Sequence, residues 1–221
     1  MRNIQIKVSV TMIQKPIHRI NARLLLYILA IFLLSGCGQD EIQLGKLTDD
    51  AVIVAFGDSL TYGTGAKPDE SYPVILEQLT GRTVINAGIS GELSAAGLAR
   101  FKSILDKHQP DLIIICHGGN DILRKKNLSE TKNNIISMIR MAKTSGIDLV
   151  LLGVPRPGIF LESATFYQEI ADEQKIVFYK NLIAEILSDS KLKSDTVHPN
   201  NKGYKIMANN IYQLFKSAGA I

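Results

Sequence analysis

Five short runs of β-branched and apolar residues, separated by longer stretches of helical periodicity, constrain the fold of this chain more than any other feature. The runs cover Ala51 to Phe56, Thr83 to Asn86, Asp111 to His117, Asp148 to Val154 and, more weakly, Ile176 to Tyr179. Amphipathic patterns fill the gaps near Ser71 to Leu79, Leu93 to His108, Ser129 to Ser145 and Glu162 to Gln174, and Asn200 to Ser217 closes the chain. Strands that are apolar on both faces and alternate with helices form a parallel sheet covered on each side, which predicts an α/β domain. In such sheets the ligand crevice lies beyond the carboxyl ends of the strands. Ser59, Gly91 and Asn120 each follow a predicted strand end, so they can converge.

The segment before this domain is of another kind. Leu24 to Gly36 is apolar, follows a basic stretch, and would reach only about 20 Å as a helix, against roughly 30 Å of bilayer hydrocarbon. That is the length of a signal peptide. Leu34-Ser35-Gly36-Cys37 resembles the lipobox of bacterial lipoproteins, which implies that the leader is removed and Cys37 becomes an acylated first residue. An ordinary secretory cleavage and an uncleaved anchor are the alternatives, and Met12 offers a second start within the long basic region. The resemblance implies a lipid-anchored protein of the bacterial cell envelope facing the periplasm, and Gly38 in place of an Asp favours sorting to the outer membrane. The predicted organisation is a leader over 1–36, a polar tether over 37–50 and one domain over 51–221, since 221 residues at 46% hydrophobic content suit a single core.

Charge excludes one class of function. The chain has 25 Lys and Arg against 21 Asp and Glu, but five of the basic residues and none of the acidic ones precede Cys37. The remainder is therefore close to neutral, and the overall charge of +4 does not argue for nucleic acid. A disulfide between Cys37 and Cys116 would join a mobile terminus to a central strand and is not expected. Cys116, in Leu112-Ile-Ile-Ile-Cys116, reads as a small buried apolar residue.

Four short blocks carry the chemistry. Gly57-Asp58-Ser59-Leu60 places a serine on the turn leaving the first strand, and Asn86-Ala-Gly-Ile-Ser-Gly91, His117-Gly-Gly-Asn120-Asp121 and Asp195-Thr-Val-His198 follow. Acyl transfer from an ester needs a nucleophile, a base, a carboxylate to orient the base, and donors for the oxyanion. Ser59 supplies the hydroxyl, His198 the base and Asp195 the acceptor. The candidate oxyanion donors are the Ser59 and Gly91 N–H groups and the Asn120 side-chain amide. Each block alone is also an ordinary turn or helix boundary. Their order is what distinguishes them.

In that order the blocks resemble those of the SGNH (GDSL-type) hydrolases, over roughly Ala51 to Phe215. The resemblance implies a three-layer α/β/α sandwich with a flavodoxin-like five-stranded parallel sheet. It also implies catalytic Ser59, His198 and Asp195, and an oxyanion hole of Ser59, Gly91 and Asn120. The second block, Gly97-Leu-Ala-Arg100 and the Gly-Gly-Asn-Asp stretch are most similar to bacterial thioesterase/lysophospholipase enzymes and arylesterases. The chain departs from that pattern at His117, which reads as a packing or hydrogen-bonding residue at a strand end, and between Pro155 and Asp195, the region that lines the pocket in such enzymes. Arg124-Lys125-Lys126 reads as a solvated basic face, with contact to an anionic head group as the alternative.

The expected activity is hydrolysis of carboxylic esters or thioesters, such as lysophospholipids, aryl esters or acyl thioesters. Alternatives on the same fold are an envelope carbohydrate O-deacetylase and a non-catalytic envelope binding protein. No G-x-S-x-G elbow, P-loop, H-E-x-x-H, cysteine-pair zinc pattern or dinucleotide fingerprint occurs, so no cofactor and no metal are implied. Expected partners are a small acyl substrate and the membrane through lipidated Cys37, with no nucleic acid and no obligate protein partner.

Overall fold

The computed structural model describes residues 42–158 and 160–221. The predicted leader, Cys37 and the first part of the predicted tether lie outside the described residues. From Ile42 onward the chain forms one α/β/α sandwich around a five-stranded parallel sheet. The strands are β1 (Val52–Gly57), β2 (Thr83–Gly88), β3 (Leu112–Cys116), β4 (Asp148–Leu152) and, after a short hairpin of β5 (Pro155–Arg156) and β6 (Glu162–Ser163), β7 (Val177–Tyr179). Their order across the sheet is β2-β1-β3-β4-β7, the flavodoxin-like arrangement that the sequence resemblance implies. β1 is paired on both edges, with Ala55 opposite Asn86 on one side and Ile114 on the other. Every residue of β3 is buried, which accounts for its unbroken apolar run.

The helices are α1 (Ser59–Tyr62), α2 (Tyr72–Thr80), α3 (Ser94–His108), α4 (Gly119–Leu123), α5 (Leu128–Thr144), α6 (Thr165–Gln174), α7 (Leu182–Ser188) and α8 (Asn201–Ser217). Right-handed crossovers decide their sides. The chain steps outward from β1 to β2 through α2, then turns back across β1 to reach β3, β4 and β7. α2 therefore lies on one face, where it packs with α8 and α8 with α7, and α3, α5 and α6 pack together on the other. Edge-to-face contact between Phe56 of β1 and Phe101 of α3, with centroids 4.9 Å apart, locks the second layer to the sheet.

Buried tyrosines tie the helices to the loops at the carboxyl end of the sheet. Tyr204 of α8 donates to the Thr64 carbonyl at 2.8 Å, and Tyr167 of α6 donates to the His117 carbonyl at 2.7 Å. Both side chains bury their rings fully while the hydroxyls satisfy loop backbone.

Several segments differ from the sequence expectation, among them the short helices α1 and α4 where the sequence reads as turns. The helix predicted from Glu162 begins at Thr165, because Arg156 and Glu162 pair in the antiparallel hairpin. α7 was not expected; its Leu182-Ile-Ala-Glu-Ile-Leu-Ser188 stretch is too short for its period to be read. Residues 42–50, assigned by their polarity to a tether, lie against the domain. Leu44 and Leu47 are buried, and their N–H groups donate to Ala218 and Ala220 at 2.8 Å.

A chain shortened to begin at Ala51 should therefore melt several degrees below one beginning at Ile42. Burying each leucine is worth about 1.5–3 kcal/mol, and each kcal/mol moves Tm by about 2–4 °C in a domain of this size. Equal melting temperatures in scanning calorimetry would show that the segment adds nothing to the fold.

Candidate active site

The reversal of strand order after β2 leaves a crevice at the carboxyl ends of β1 and β3, where Ser59, Asn120 and His198 meet. β1 ends at Gly57, and Asp58 caps the short α1 by accepting the Leu60 N–H at 3.2 Å. This sets Ser59 at the first position of the helix with only 8% of its surface exposed. Burial pushes the Asp58 carboxyl above its ordinary value, against the N–H groups of Leu60 and Gly119.

His198 arrives from the other end of the chain. Its loop is fixed by Asn200, which caps α8 by accepting from the Lys202 and Gly203 N–H groups and donates to the carbonyls of Lys191 and Lys193. One oxygen of Asp195 accepts the N–H groups of Val197 and His198 at 2.8 and 2.9 Å, and the other accepts from His198 Nδ1 at 2.8 Å. With Nδ1 occupied in this way, Nε2 is the acceptor that faces Ser59 Oγ at 2.9 Å. Partial burial raises the Asp195 carboxyl, but the N–H donors of Val197 and His198 outweigh it and hold it below its ordinary value. The Asp195 side chain is half exposed, at 52%.

Across the crevice, Asn120, the second residue of α4, donates its Nδ2 to the Glu92 carbonyl at 3.1 Å. An amide nitrogen carries two hydrogens, so this bond orients the second. Gly91 lies in the preceding turn at φ +77°, a conformation that side-chain-bearing residues rarely adopt. Asp121 is buried and accepts from Ser94 N, Ser94 Oγ and Thr131 Oγ1, which joins the starts of α3 and α5 to the Asn120 loop.

Ser59, Asn120 and His198 share one cavity of ≈ 820 Å³ with Gly119; Gly91 stands outside its wall. The β5–β6 hairpin forms one side through Pro155, Phe160 and Leu161, and Leu123, Val154 and Leu187 extend the apolar surface. The Pro155-Arg156-Pro157-Gly158 cluster is a breaker signal that marks this hairpin in the sequence. Arg124, Lys125 and Lys126 are exposed, with Arg124 donating to the Gly91 carbonyl at 3.2 Å. Cys116 is a free, buried cysteine. His117 is fully buried and bonded on both ring nitrogens, and Glu92, which the sequence reading passed over, is its partner.

Comparison with known proteins agrees with this architecture. A family model described as the GDSL-like lipase/acylhydrolase family matches residues 55–206. The chain is 28% identical over 200 residues to Esterase TesA of Pseudomonas aeruginosa, covering 83% of this chain and 96% of that one. It is 26% identical over 164 residues to the thioesterase 1/protease 1/lysophospholipase L1 of Escherichia coli, covering 71% and 79%. The crystal structure of the psychrotrophic esterase EstA from Pseudoalteromonas sp. shares the fold, with a TM-score of 0.68 at 22% identity over 76% of this chain and 98% of that one.

The depressed Asp195 carboxyl gives a signed pH dependence. Its folded value lies below the ordinary 3.8, so the unfolded chain takes up this proton first as pH falls. The contribution to stability is fully present above about pH 4 and is lost as pH drops through the folded value. Asp195→Asn should therefore show a smaller loss of stability between pH 5 and 3 than the unaltered protein in urea titrations. An identical loss in both would mean that Asp195 makes no net bond in the folded state.

Proposed function

Because the chain belongs to the GDSL-like lipase/acylhydrolase family, we propose that it is a serine hydrolase cleaving carboxylic esters or thioesters through an acyl-enzyme on Ser59. The hydrogen-bonded chain from Asp195 through His198 to Ser59 Oγ, at the wall of a partly apolar cavity, is the observation that carries this reading. His198 Nε2 takes the Ser59 proton as Oγ attacks the acyl carbon, and Asp195 stabilises the imidazolium that forms. The carbonyl oxygen becomes an oxyanion facing the Asn120 amide and the N–H groups of Ser59 and Gly91. Collapse expels the alkoxide or thiolate, which takes the proton from His198. Water, deprotonated by His198, then attacks the acyl-enzyme and releases the acid, returning the proton to Ser59.

The cavity wall favours an acyl chain over an acetylated sugar. Phe160, Leu161, Leu123 and Val154 present hydrocarbon in the same cavity as Ser59, room for an acyl chain that a short polar deacetylase pocket would lack. The names of the relatives, an esterase and a thioesterase/lysophospholipase, point the same way. Turnover of p-nitrophenyl esters should rise from acetate to medium acyl chains and exceed release of acetate from an acetylated sugar. Ser59→Ala and His198→Ala should fall to one common floor while remaining folded, since parts of one catalytic unit fail together. Wild-type kcat in purified Ser59→Ala would contradict the mechanism, and a preference for the acetylated sugar would contradict the substrate class.

We propose further that Cys37 is acylated and holds the domain to the envelope membrane, the support being the Leu34-Ser35-Gly36-Cys37 pattern after an apolar leader. Several acyl chains, at about 0.8 kcal/mol per buried CH₂, anchor a domain stably. Expressed with its leader in a bacterium, the protein should fractionate with membranes, and Cys37→Ser should not be lipidated. Intact mass of the membrane-extracted protein checks this; a mature terminus without acyl mass on Cys37 would reject the anchor.

A further inference from the structure

Beneath the loop that carries Gly91 lies a largely buried network of Arg100, Glu92 and His117 that the acyl-transfer steps do not use. The Glu92 side chain is 6% exposed and pairs with Arg100 at 2.8 and 2.6 Å. The same carboxylate meets Nε2 of the fully buried His117 at 3.1 Å. The Gly118 N–H donates into His117 Nδ1 at 2.9 Å, so the ring proton sits on Nε2 and is donated to Glu92. Burial alone would raise the Glu92 carboxyl; the His117 N–H and the Arg100 guanidinium outweigh it and hold it at about 2.

Each partner is anchored at a different strand end. Arg100 also donates to the carbonyls of Gly57 at the end of β1 and Ala87 in β2, and its guanidinium lies 4.2 Å above the Phe56 ring. His117 directly follows β3 and stacks on the other partner of that packing, Phe56, at 5.8 Å. α3 comes close enough only because residue 97 is glycine: a Cβ there would stand 2.4 Å from His117 Nε2. The Glu92 carbonyl accepts the Asn120 amide, and the Glu92 N–H is held by the Ile89 carbonyl in the turn that contains Gly91.

We propose that Glu92, clamped between Arg100 and His117, is a positioning residue that fixes the two oxyanion donors outside the nucleophile's own turn, Asn120 and Gly91, relative to Ser59. His117 and Arg100 act through it and touch no substrate. Two opposing bonds on one buried carboxylate leave the Glu92 backbone a single place to sit, and that backbone is the acceptor which aims the Asn120 amide. A loop held only by its own turn would let the donors drift, and a misplacement of about 1 Å is costly to a transition-state contact.

This inference rests on the reading of Ser59 and Asn120 given above, and a double-mutant cycle separates the two. With p-nitrophenyl butyrate as substrate, His117→Leu should lower kcat about tenfold with KM within about twofold, short of the 10²–10³ of losing a donor outright. In an Asn120→Ala background the same substitution should cost clearly less, about threefold, because one of the two donors it positions is gone and only Gly91 is left to drift. His117→Gln, which can still donate to Glu92, should recover most of kcat. A loss from His117→Leu that is as large without the Asn120 amide as with it, or no loss at all, would overturn the inference. If His117→Leu does not fold, the isosteric Glu92→Gln is carried through the same cycle with the same outcomes. Ser59→Ala retaining turnover would instead overturn the hydrolase reading and this inference with it.

Discussion

A parallel sheet whose chain steps out to one edge and then returns across its first strand must leave an opening where the two directions diverge. Here that opening lies between the carboxyl ends of β1 and β3, and everything of chemical interest is arranged around it. Crossover handedness sends α2 to one face and α3 to the other, so the loops after β1, β2 and β3 reach the opening from different layers. α8 and its leading loop then return to the α2 side. A serine at residue 59 and a histidine at residue 198, 139 positions apart in the chain, thereby come within 2.9 Å.

Two carboxylates near that opening are held in contrasting ways. Asp195 is half exposed and is oriented locally, by N–H groups two and three residues along its own loop. It needs no distant element, and a solvent-screened bond to His198 suffices to hold a tautomer. Glu92 is nearly dry and is oriented by residues from two other elements, Arg100 on α3 and His117 after β3. The base side of the site is thus set by a turn and the oxyanion side by tertiary packing. A buried ion pair is poor evidence of stability in itself; a fixed geometry is the more economical account of this one.

Much of this was legible in the residues. The unbroken Leu112-Ile-Ile-Ile-Cys116 run announces a strand buried on both faces, and the Gly-Asp-Ser-Leu turn directly after Val-Ile-Val-Ala-Phe56 places Ser59 at a strand end. The Asp-x-x-His spacing puts donor and acceptor on one loop, and the structure brings Asp195, His198 and Ser59 into a single hydrogen-bonded chain. The rest depended on pairings that no local pattern encodes. Glu162 joins a two-residue hairpin with Arg156 although its composition suits the helix that follows. Leu44 and Leu47 look isolated in a polar stretch until the chain's last residues arrive beside them. Glu92 is one acidic residue after a turn, and only the distance to His117 gives it a role. The small residue at position 97, in the first turn of α3, was the available signal that something large lies beneath that helix.

The central claim is that Ser59 Oγ is the atom that bonds to the acyl group, and covalent trapping tests it most directly. A p-nitrophenyl alkylphosphonate presents a tetrahedral phosphorus that a serine alkoxide attacks, expelling p-nitrophenolate while His198 takes the serine proton. The intact mass should rise by one phosphonyl group in step with loss of activity, peptide mapping should place it on Ser59, and Ser59→Ala should remain unlabelled. Stoichiometric labelling of another residue, or full inactivation with Ser59 unmodified, would contradict the account.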